Sequence, residues 1–227
     1  MNPLATDHQP ADLELRSELT AHEPSIQQLR QVDRLFYGRG WSVGTSSNYS
    51  VVVSRQPHRL LITASGMDKG GLRPNDFVVI DEDGQPVGDD QPKSSAETLL
   101  HCLLTKDESV GAVLHTHSVW ATVLSDVFAE QAGFDIEGFE MLKGLEGVRS
   151  HDHREWVDIF ENSQDIAQLA NLIESRWQER GQVSAHGFLL RRHGLYTWGR
   201  DLFAARRHVE IFEFLFECLA RQRQLQT

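Results

Sequence analysis

The chain contains very little cysteine: among its 227 residues there are only Cys102 and Cys218, both in apolar, helix-like segments. Domains that depend on disulfides carry more cysteines, so a disulfide framework is not expected. No apolar run approaches the roughly 20 residues that span a bilayer, and no basic region followed by an apolar core opens the sequence. These absences predict a reduced, cytoplasmic protein without a membrane partner.

Positive charge is also scarce, with 22 Lys and Arg against 33 Asp and Glu and a formal net charge of -11. Nucleic-acid binding draws most of its nonspecific affinity from clustered Lys and Arg, so a nucleic-acid partner is not expected. A small phosphorylated ligand remains possible, because local hydrogen-bond donors can outweigh the field of the whole chain.

No Gly/Ser linker, internal repeat or change of composition divides the sequence. Residues 1–22 are polar and predict an N-terminal arm, and residues 23–227 predict one domain. Apolar residues from Ile26 to Phe36 recur at helical spacing. Strands interleaved with helices predict a central, mainly antiparallel sheet covered by helices. The predicted strands are 49–54, 59–63, 77–81, 110–115 and 188–198, and the later predicted helices are 95–105, 118–128, 163–178 and 202–224.

Three histidines suggest a metal site. His115 and His117 stand two residues apart at the end of an apolar run, and His193 lies inside the last predicted strand. Residues i and i+2 of a strand share a face, so both imidazoles can reach one ion. Three histidines often hold a catalytic zinc and leave its fourth position to water or substrate. The alternative is that the histidines merely end a strand, or that a zinc ion has only a structural role.

Three polar segments, 44–50, 62–67 and 93–97, offer hydroxyls, amides and backbone N–H groups that together could hold a phosphate. Each segment is explained equally well as a turn or a helix cap. In the segment 93–97, Ser94 or Ser95 would be the capping residue.

Two glutamates are candidates for proton transfer. Glu97 lies at a helix start, where it could act as a base or a displaceable metal ligand, or simply stabilise the helix end. Glu140 has apolar neighbours, so partial burial could raise its pKa towards neutrality. The alternative for Glu140 is a helical ion pair with Lys143 that needs no catalysis.

The ordered set of His-x-His, a downstream Glu and Arg-Arg-His-Gly-Leu-Tyr-Thr-Trp-Gly resembles the class II aldolase/adducin superfamily, and within it the methylthioribulose-1-phosphate dehydratases. The resemblance covers about residues 29–219. It implies a three-layer α/β/α sandwich and a homotetramer with sites near subunit contacts. It also implies one zinc ion per subunit, bound by His115, His117 and His193.

The resemblance further implies phosphate contacts from Asn48, Ser65, Gly66 and Ser95, with Glu97 at the position of the aldolase glutamate. Glu140 matches the catalytic glutamate of the dehydratase branch. Two residues depart from the superfamily pattern, because Ser47 replaces the usual glycine before the Asn, and Ala96 replaces a second serine.

The implied activity is dehydration of 5-methylthioribulose 1-phosphate in methionine salvage, with a small phosphorylated ketose as the partner molecule. The alternatives are a sugar-phosphate aldolase, a 4-epimerase, or a non-catalytic adducin-like module. The absence of a tyrosine from the C-terminal tail favours the dehydratase over the aldolases and epimerases.

Overall fold

A computed structural model describes residues 15–89, 91–181 and 184–226, and these residues form one eight-stranded sheet with helices on both faces. The strands are β1 (Asn48–Arg55), β2 (His58–Thr63), β3 (Phe77–Ile80), β4 (Ala112–Thr116), β5 (Gly133–Ile136), β6 (Glu155–Phe160), β7 (Gly187–Leu190) and β8 (Gly194–Gly199). They lie in the order β3-β2-β1-β4-β8-β7-β6-β5. All neighbouring pairs are antiparallel except β6 and β7. This confirms the predicted, mainly antiparallel sheet.

Helices pack on both faces of the sheet, because side chains alternate along each strand. The helices are α1 (Ser17–Thr20), α2 (Glu23–Gly38), α3 (Thr98–Thr105), α4 (Val119–Val127), α5 (Ile166–Arg180) and α6 (Leu202–Gln226). In β4, Ala112 and Leu114 pack in a cluster with α1, α2 and α6, whereas Val113 packs with α3 and α5. The helix α4 joins α6 over β7 and β8 on the first of these faces. The three-layer α/β/α sandwich is therefore confirmed.

The starts of two helices show how local sequence sets the boundaries that matter for the site. The side chain of Ser118 accepts a hydrogen bond of 3.0 Å from the backbone N–H of Ala121 and begins α4. The side chain of Asp165 does the same for α5 by accepting from Gln168. The helix α3 begins at Thr98, three residues later than predicted, with Glu97 rather than Ser94 or Ser95 as its N-cap residue.

Two features of the strand prediction were wrong. The segment 188–198 is not one strand but a tight hairpin, in which β7 and β8 are joined by a turn with Arg192 at a φ of 53°. The strands β5 and β6 were missed, because β5 is short and β6 carries acidic residues. Glu155 and Asp158 of β6 are both buried, so a segment that carries two acidic residues forms an inner strand of the sheet.

The predicted N-terminal arm lies mainly outside the described residues. Its described part, from residue 15, includes α1, and Leu19 of that helix is fully buried against β3 and α2. This portion therefore packs on the domain. None of the described helices combines the length and the apolar character needed to cross a membrane.

Buried charges of β6 are satisfied by hydrogen bonds. Asp158 accepts from the indole N–H of Trp156 at 2.9 Å, from the indole N–H of Trp177 at 3.1 Å and from the Ser184 hydroxyl at 2.6 Å. Arg180 neutralises the same carboxylate. Because each acceptor position is used, the strand can place this charge inside the molecule at little cost.

Glu155 forms a second buried arrangement, with His186. The Nδ1 atom of His186 lies 2.9 Å from a Glu155 oxygen, and its Nε2 atom lies 2.8 Å from the carbonyl oxygen of Glu146. Both partners are acceptors, so His186 is an imidazolium that donates from both nitrogens. Burial opposes this charge, but Glu155 and the Glu146 carbonyl outweigh it and raise the pKa of His186 above 6.5.

The contacts with histidine also change the pKa of the Glu155 carboxyl group. Burial opposes ionisation of Glu155, yet hydrogen bonds and charge from His186 and His153 lower its pKa below 4.5. The stabilisation from His186 is complete below pH 6.5 and is lost as pH rises through its folded pKa. The stabilisation from Glu155 is complete above pH 4.5 and is lost as pH falls through its lower folded pKa.

We predict that His186→Ala lowers the free energy of unfolding by about 3 kcal/mol near pH 6, because it leaves the Glu155 carboxylate buried without its main partner. The difference from the wild type should shrink as pH rises above 6.5. Urea denaturation of both proteins between pH 5 and pH 9 measures this difference. A difference that stays constant over the range would contradict an ionised His186.

Candidate metal centre

The sheet brings the three predicted histidines together. His115 is fully buried near the end of β4, and His117 follows that strand by one residue. His193 belongs to the turn between β7 and β8, and not to the interior of a strand as predicted. The strands β4 and β8 pair with Thr116 opposite Leu195, which puts the turn beside the two histidines. One ligand atom from each histidine lies within 4.8 Å of the others.

The three rings converge on their Nε2 atoms. The separations are 2.7 Å between His115 and His117, 3.1 Å between His117 and His193, and 3.4 Å between His115 and His193. Two nitrogens bound tetrahedrally to one zinc ion at 2.0–2.1 Å lie about 3.3 Å apart. The latter two separations match this value, and the first is shorter. The donor set therefore fits a small divalent cation.

Local contacts hold His115 and His117 in place. The Nδ1–H of His115 donates to the carbonyl of Leu195 at 3.0 Å, which leaves the lone pair on Nε2. The backbone N–H of His117 donates to the carbonyl of Trp41 at 2.7 Å. Gly194 is required beside them, because a Cβ there would lie 2.0 Å from the carbonyl oxygen of Thr116 and 3.1 Å from the His115 ring.

The electrostatics keep the ligands neutral. Burial, reinforced by the other two histidines, holds the pKa of His115 well below 6.5. Burial and the nearby His193 and Lys69 lower the pKa of His117 to about 4. Neutral imidazoles are the form that binds metal, so these two ligands need no deprotonation near pH 7.

Glu97 lies directly beside the histidines. Its two carboxylate oxygens are 3.4 Å from Nε2 of His115 and 3.2 Å from Nε2 of His193. The amide nitrogen of Asn48 donates to it at 2.7 Å. This geometry allows Glu97 to bind the metal directly or to accept a proton from a molecule bound next to the metal.

A buried histidine that the sequence analysis left unassigned supports Asn48. Burial lowers the pKa of His101 to about 3, so its ring is neutral. Its Nε2–H donates to the side-chain oxygen of Asn48, and its Nδ1 accepts from the hydroxyl of Ser50 at 2.7 Å. The resulting chain Ser50–His101–Asn48–Glu97 fixes the amide so that its N–H points at the carboxylate. The helical position of His101 gave no signal of this role.

The three predicted anion-binding segments line the same cavity of about 240 Å³, together with Glu97, His117 and His193. Ser65, Gly66 and Ser95 all contribute to its wall. Ser47 has a φ of 71°, in the left-handed region that favours glycine. A serine there costs about 1 kcal/mol, which is a physical reason for the glycine that the resemblance implies at this position.

A fourth wall of the cavity was not predicted. Asn162, Ser163 and Gln164 reach the cavity from the loop between β6 and α5, and Ile166 reaches it from the first position of α5. Because β6 itself was missed, the sequence analysis had no means of placing this loop beside His193.

Glu140 does not line this cavity. It begins a short 3₁₀ helix (Glu140–Gly144), and its side chain is 71% exposed. The Lys143 ammonium donates to it at 2.5 Å, and that hydrogen bond lowers its pKa. The expectation that burial raises this pKa was wrong, and the ion pair with Lys143 that was the alternative is present.

The second His-x-His, His151 and His153, forms no metal group with other side chains in the described part of the chain. His153 instead contacts Glu155 at 2.7 Å. The polar sequence around this second pair already indicated a loop, and the structure agrees, because residues 151–154 lie outside the described strands and helices.

Comparison with known proteins defines the family. The profile of the Class II Aldolase and Adducin N-terminal domain matches residues 27–220. The chain belongs to the class II aldolase and adducin family. A Marinobacter nauticus relative named methylthioribulose-1-phosphate dehydratase is 45% identical over 203 residues, covering 88% of this chain and 95% of that one. A Pseudomonas aeruginosa relative of the same name is 45% identical over 197 residues, covering 86% and 93%.

Solved structures of class II aldolases share the fold. The L-fuculose-1-phosphate aldolase of Thermus thermophilus superposes with a TM-score of 0.70 at 21% identity, covering 90% of this chain and 98% of that one. A sugar-phosphate aldolase of Thermotoga maritima gives a TM-score of 0.64 at 18% identity, covering 92% and 98%. At this identity the likeness confirms the class II aldolase fold and carries no argument about substrate.

We predict that His115→Ala or His193→Ala abolishes stoichiometric metal binding by this class II aldolase family member, because two imidazoles hold a divalent ion far more weakly than three. Elemental analysis of the purified proteins measures the bound metal. His151→Ala, which removes an exposed histidine outside the cluster, is the control and should keep its metal. Full metal content in either cluster variant would refute the corresponding ligand assignment.

Proposed function

We propose that this chain is a hydro-lyase that removes water from 5-methylthioribulose 1-phosphate and yields 2,3-diketo-5-methylthiopentyl 1-phosphate. This is a step of methionine salvage, which we place in the cytoplasm. The proposal is supported by the relatives of that name at 45% identity over most of both chains. It is carried by one observation: two of the three clustered histidines, a carboxylate and three anion-suited segments line one cavity, and the third histidine, His115, contacts the other two.

We propose one Zn²⁺ per subunit, bound by the Nε2 atoms of His115, His117 and His193. The fit of the nitrogen separations supports this, as does the neutrality of His115 and His117. When bound, zinc supplies Lewis-acid stabilisation of the negative charge that develops on the substrate as its C3 proton leaves. A structural zinc site is disfavoured, because the two cysteines, Cys102 and Cys218, are outside the cluster.

Dehydration removes a proton from C3 and the hydroxyl group from C4, so it needs a base and an acid. Glu97 is placed to act as the base, because it lies within 3.4 Å of two ligand nitrogens and is held by Asn48. Its position at the histidine cluster puts it next to any substrate oxygen bound there. Asn48, Ser65, Gly66 and Ser95 would hold the phosphate with their amide, hydroxyl and backbone N–H groups.

The acid that protonates the leaving hydroxyl is Glu140 in this proposal, acting from a neighbouring subunit of a homotetramer. Its absence from the cavity wall of its own chain and its exposure are both compatible with that arrangement. Burial at a subunit contact would separate the carboxylate from water and raise its pKa, which a proton donor near pH 7 requires.

Exposed apolar side chains next to Glu140 support a subunit contact. Val119, Val123 and Val127 recur every four residues along α4, and Val119 is 69% exposed. A neighbouring cavity of about 450 Å³ is lined by Val119, Met141 and Phe214 together with charged residues of α6 such as Glu210 and Glu217. Exposed apolar side chains grouped with a polar rim are typical of an interface between subunits.

Two alternatives differ in chemistry. An aldolase or 4-epimerase would use the same metal centre, and the structural neighbours include aldolases. However, α6 carries no tyrosine over its 25 residues, and the absence of a C-terminal tyrosine favours the dehydratase over the aldolases and epimerases. An adducin-like module without catalysis would not need the three histidine ligands that this chain retains.

The deciding experiment incubates the purified protein with methylthioribulose 1-phosphate and follows formation of the diketone, before and after chelation and after re-addition of Zn²⁺. We expect turnover that chelation abolishes and Zn²⁺ restores. Carbon–carbon cleavage or epimerisation without diketone would establish one of the alternatives. A protein that retains full turnover after complete removal of metal would contradict the zinc assignment.

We predict that Glu140→Gln retains metal but lowers turnover by about a hundredfold or more, because it removes a proton donor. Mixed oligomers test where Glu140 acts. If Glu140→Gln and His115→Ala subunits are refolded together in equal amounts, about one site in four combines intact histidines with an intact glutamate from a neighbour.

Activity that reappears on mixing would support action across the subunit contact. Mixed oligomers that remain as inactive as the two parent variants would show that Glu140 does not act in this way. Each variant refolded alone is the matched control, because it contains no complete site under either arrangement.

A further inference from the structure

The ring of His193 has a side-chain partner in Asn162. The Nδ1 atom of His193 lies 3.1 Å from the side-chain oxygen of Asn162. Binding of a metal ion through Nε2 of His193, which faces the other two ligand nitrogens, requires the lone pair on Nε2 and hence the proton on Nδ1. The imidazole therefore donates to Asn162. We propose that Asn162 is a positioning residue that fixes the tautomer and orientation of His193 for metal binding.

The backbone of His193 is held independently of Asn162. Its N–H donates to the carbonyl of Leu190 at 3.1 Å, and its own carbonyl accepts from the hydroxyl of Thr122 at 3.0 Å. The neighbouring N–H of Arg192 donates to the hydroxyl of Ser125 at 2.9 Å. The helix α4 thus fixes the turn, and Asn162 acts on the remaining freedom of His193, the rotation of its ring.

The contrast with His115 shows why a side chain matters here. His115 is fully buried in a strand and donates its Nδ1–H to a backbone carbonyl, which no substitution of a side chain removes. His193 is only partly buried and lies in a turn at the mouth of the cavity. Its orientation depends on a side chain that is itself exposed, so metal binding by this ligand can be altered without disturbing the core.

Asn162 lies beside His193 because polar contacts hold the residues after β6 against the turn between β7 and β8. The backbone N–H of Arg191, in the turn, donates to the carbonyl of Phe160 at the end of β6 at 2.8 Å. The Arg191 guanidinium also contacts Glu161 at 3.0 Å. These contacts hold the residues after β6 beside the turn, which places residue 162 opposite the imidazole.

The inference rests on the metal site of the proposed function, and it is tested without substrate. Zn²⁺ affinity is measured by competition with a chromophoric chelator for the wild type, Asn162→Ala and Asn162→Asp. Loss of such a partner of a ligand typically weakens binding by about 10- to 100-fold, which is the effect expected for Asn162→Ala. Asn162→Asp keeps an acceptor oxygen facing Nδ1, so its affinity should equal or exceed that of the wild type.

Two further measurements separate positioning from general damage. Asn171→Asp places the same new charge on the exposed surface of α5 and should leave Zn²⁺ affinity unchanged. The visible absorption of Co²⁺ in place of Zn²⁺ should change for Asn162→Ala, because a free ring alters the ligand geometry, and should be restored by Asn162→Asp.

Wild-type Zn²⁺ affinity in Asn162→Ala would overturn the role of Asn162, and so would an equal loss in Asn162→Asp. In both cases the wild type binds Zn²⁺ normally, and the proposed function is unaffected. A wild-type protein that binds no Zn²⁺ would instead overturn the metal site, and this inference with it.

Discussion

The antiparallel pairing of β4 with β8 is the constraint on which the rest of the structure depends. It places the end of β4, with His115 and His117, beside the turn that carries His193, and it provides the Leu195 carbonyl that orients His115. Three imidazole nitrogens within 3.4 Å of one another are favourable only if a cation or a shared proton lies between them. Backbone hydrogen bonds of the sheet hold these lone pairs close together although they repel one another. A bound metal ion attracts all three and removes that cost.

Beside that cluster, a chain of polar groups is built from different elements. His101 of α3 orients Asn48 of β1, and Asn48 holds Glu97 at the start of α3. A buried amide has donors and acceptors that must all be placed, so a network of this kind defines one arrangement. The imidazolium of His186 and the carboxylate of Glu155 follow the same rule on the other side of the sheet, where they join β6 to the segment around Glu146.

Elements with regular apolar periodicity were predictable, and α2 and α4 are examples that agree within a few residues. Strand β6 was not, because Glu155 and Asp158 interrupt its four apolar residues and the strand follows the polar segment 150–154. Their ionised side chains are tolerated only since His186, Trp177 and Arg180 arrive from distant segments. The hairpin of β7 and β8 was read as one strand, because both strands are apolar and the turn between them contains no glycine or proline signal before Gly194.

The sequence by itself determined the family, the three-layer fold and the identity of the three histidines, since these follow from an ordered set of local motifs. Tertiary structure alone decided that His101 and Asn48 hold Glu97 at the cluster, that Glu140 is exposed, and that Asn162 contacts His193. The physical reason is the range of the interactions. Periodicity and turn chemistry act over a few neighbouring residues, whereas burial and hydrogen-bond partners depend on segments that meet only when the sheet has formed.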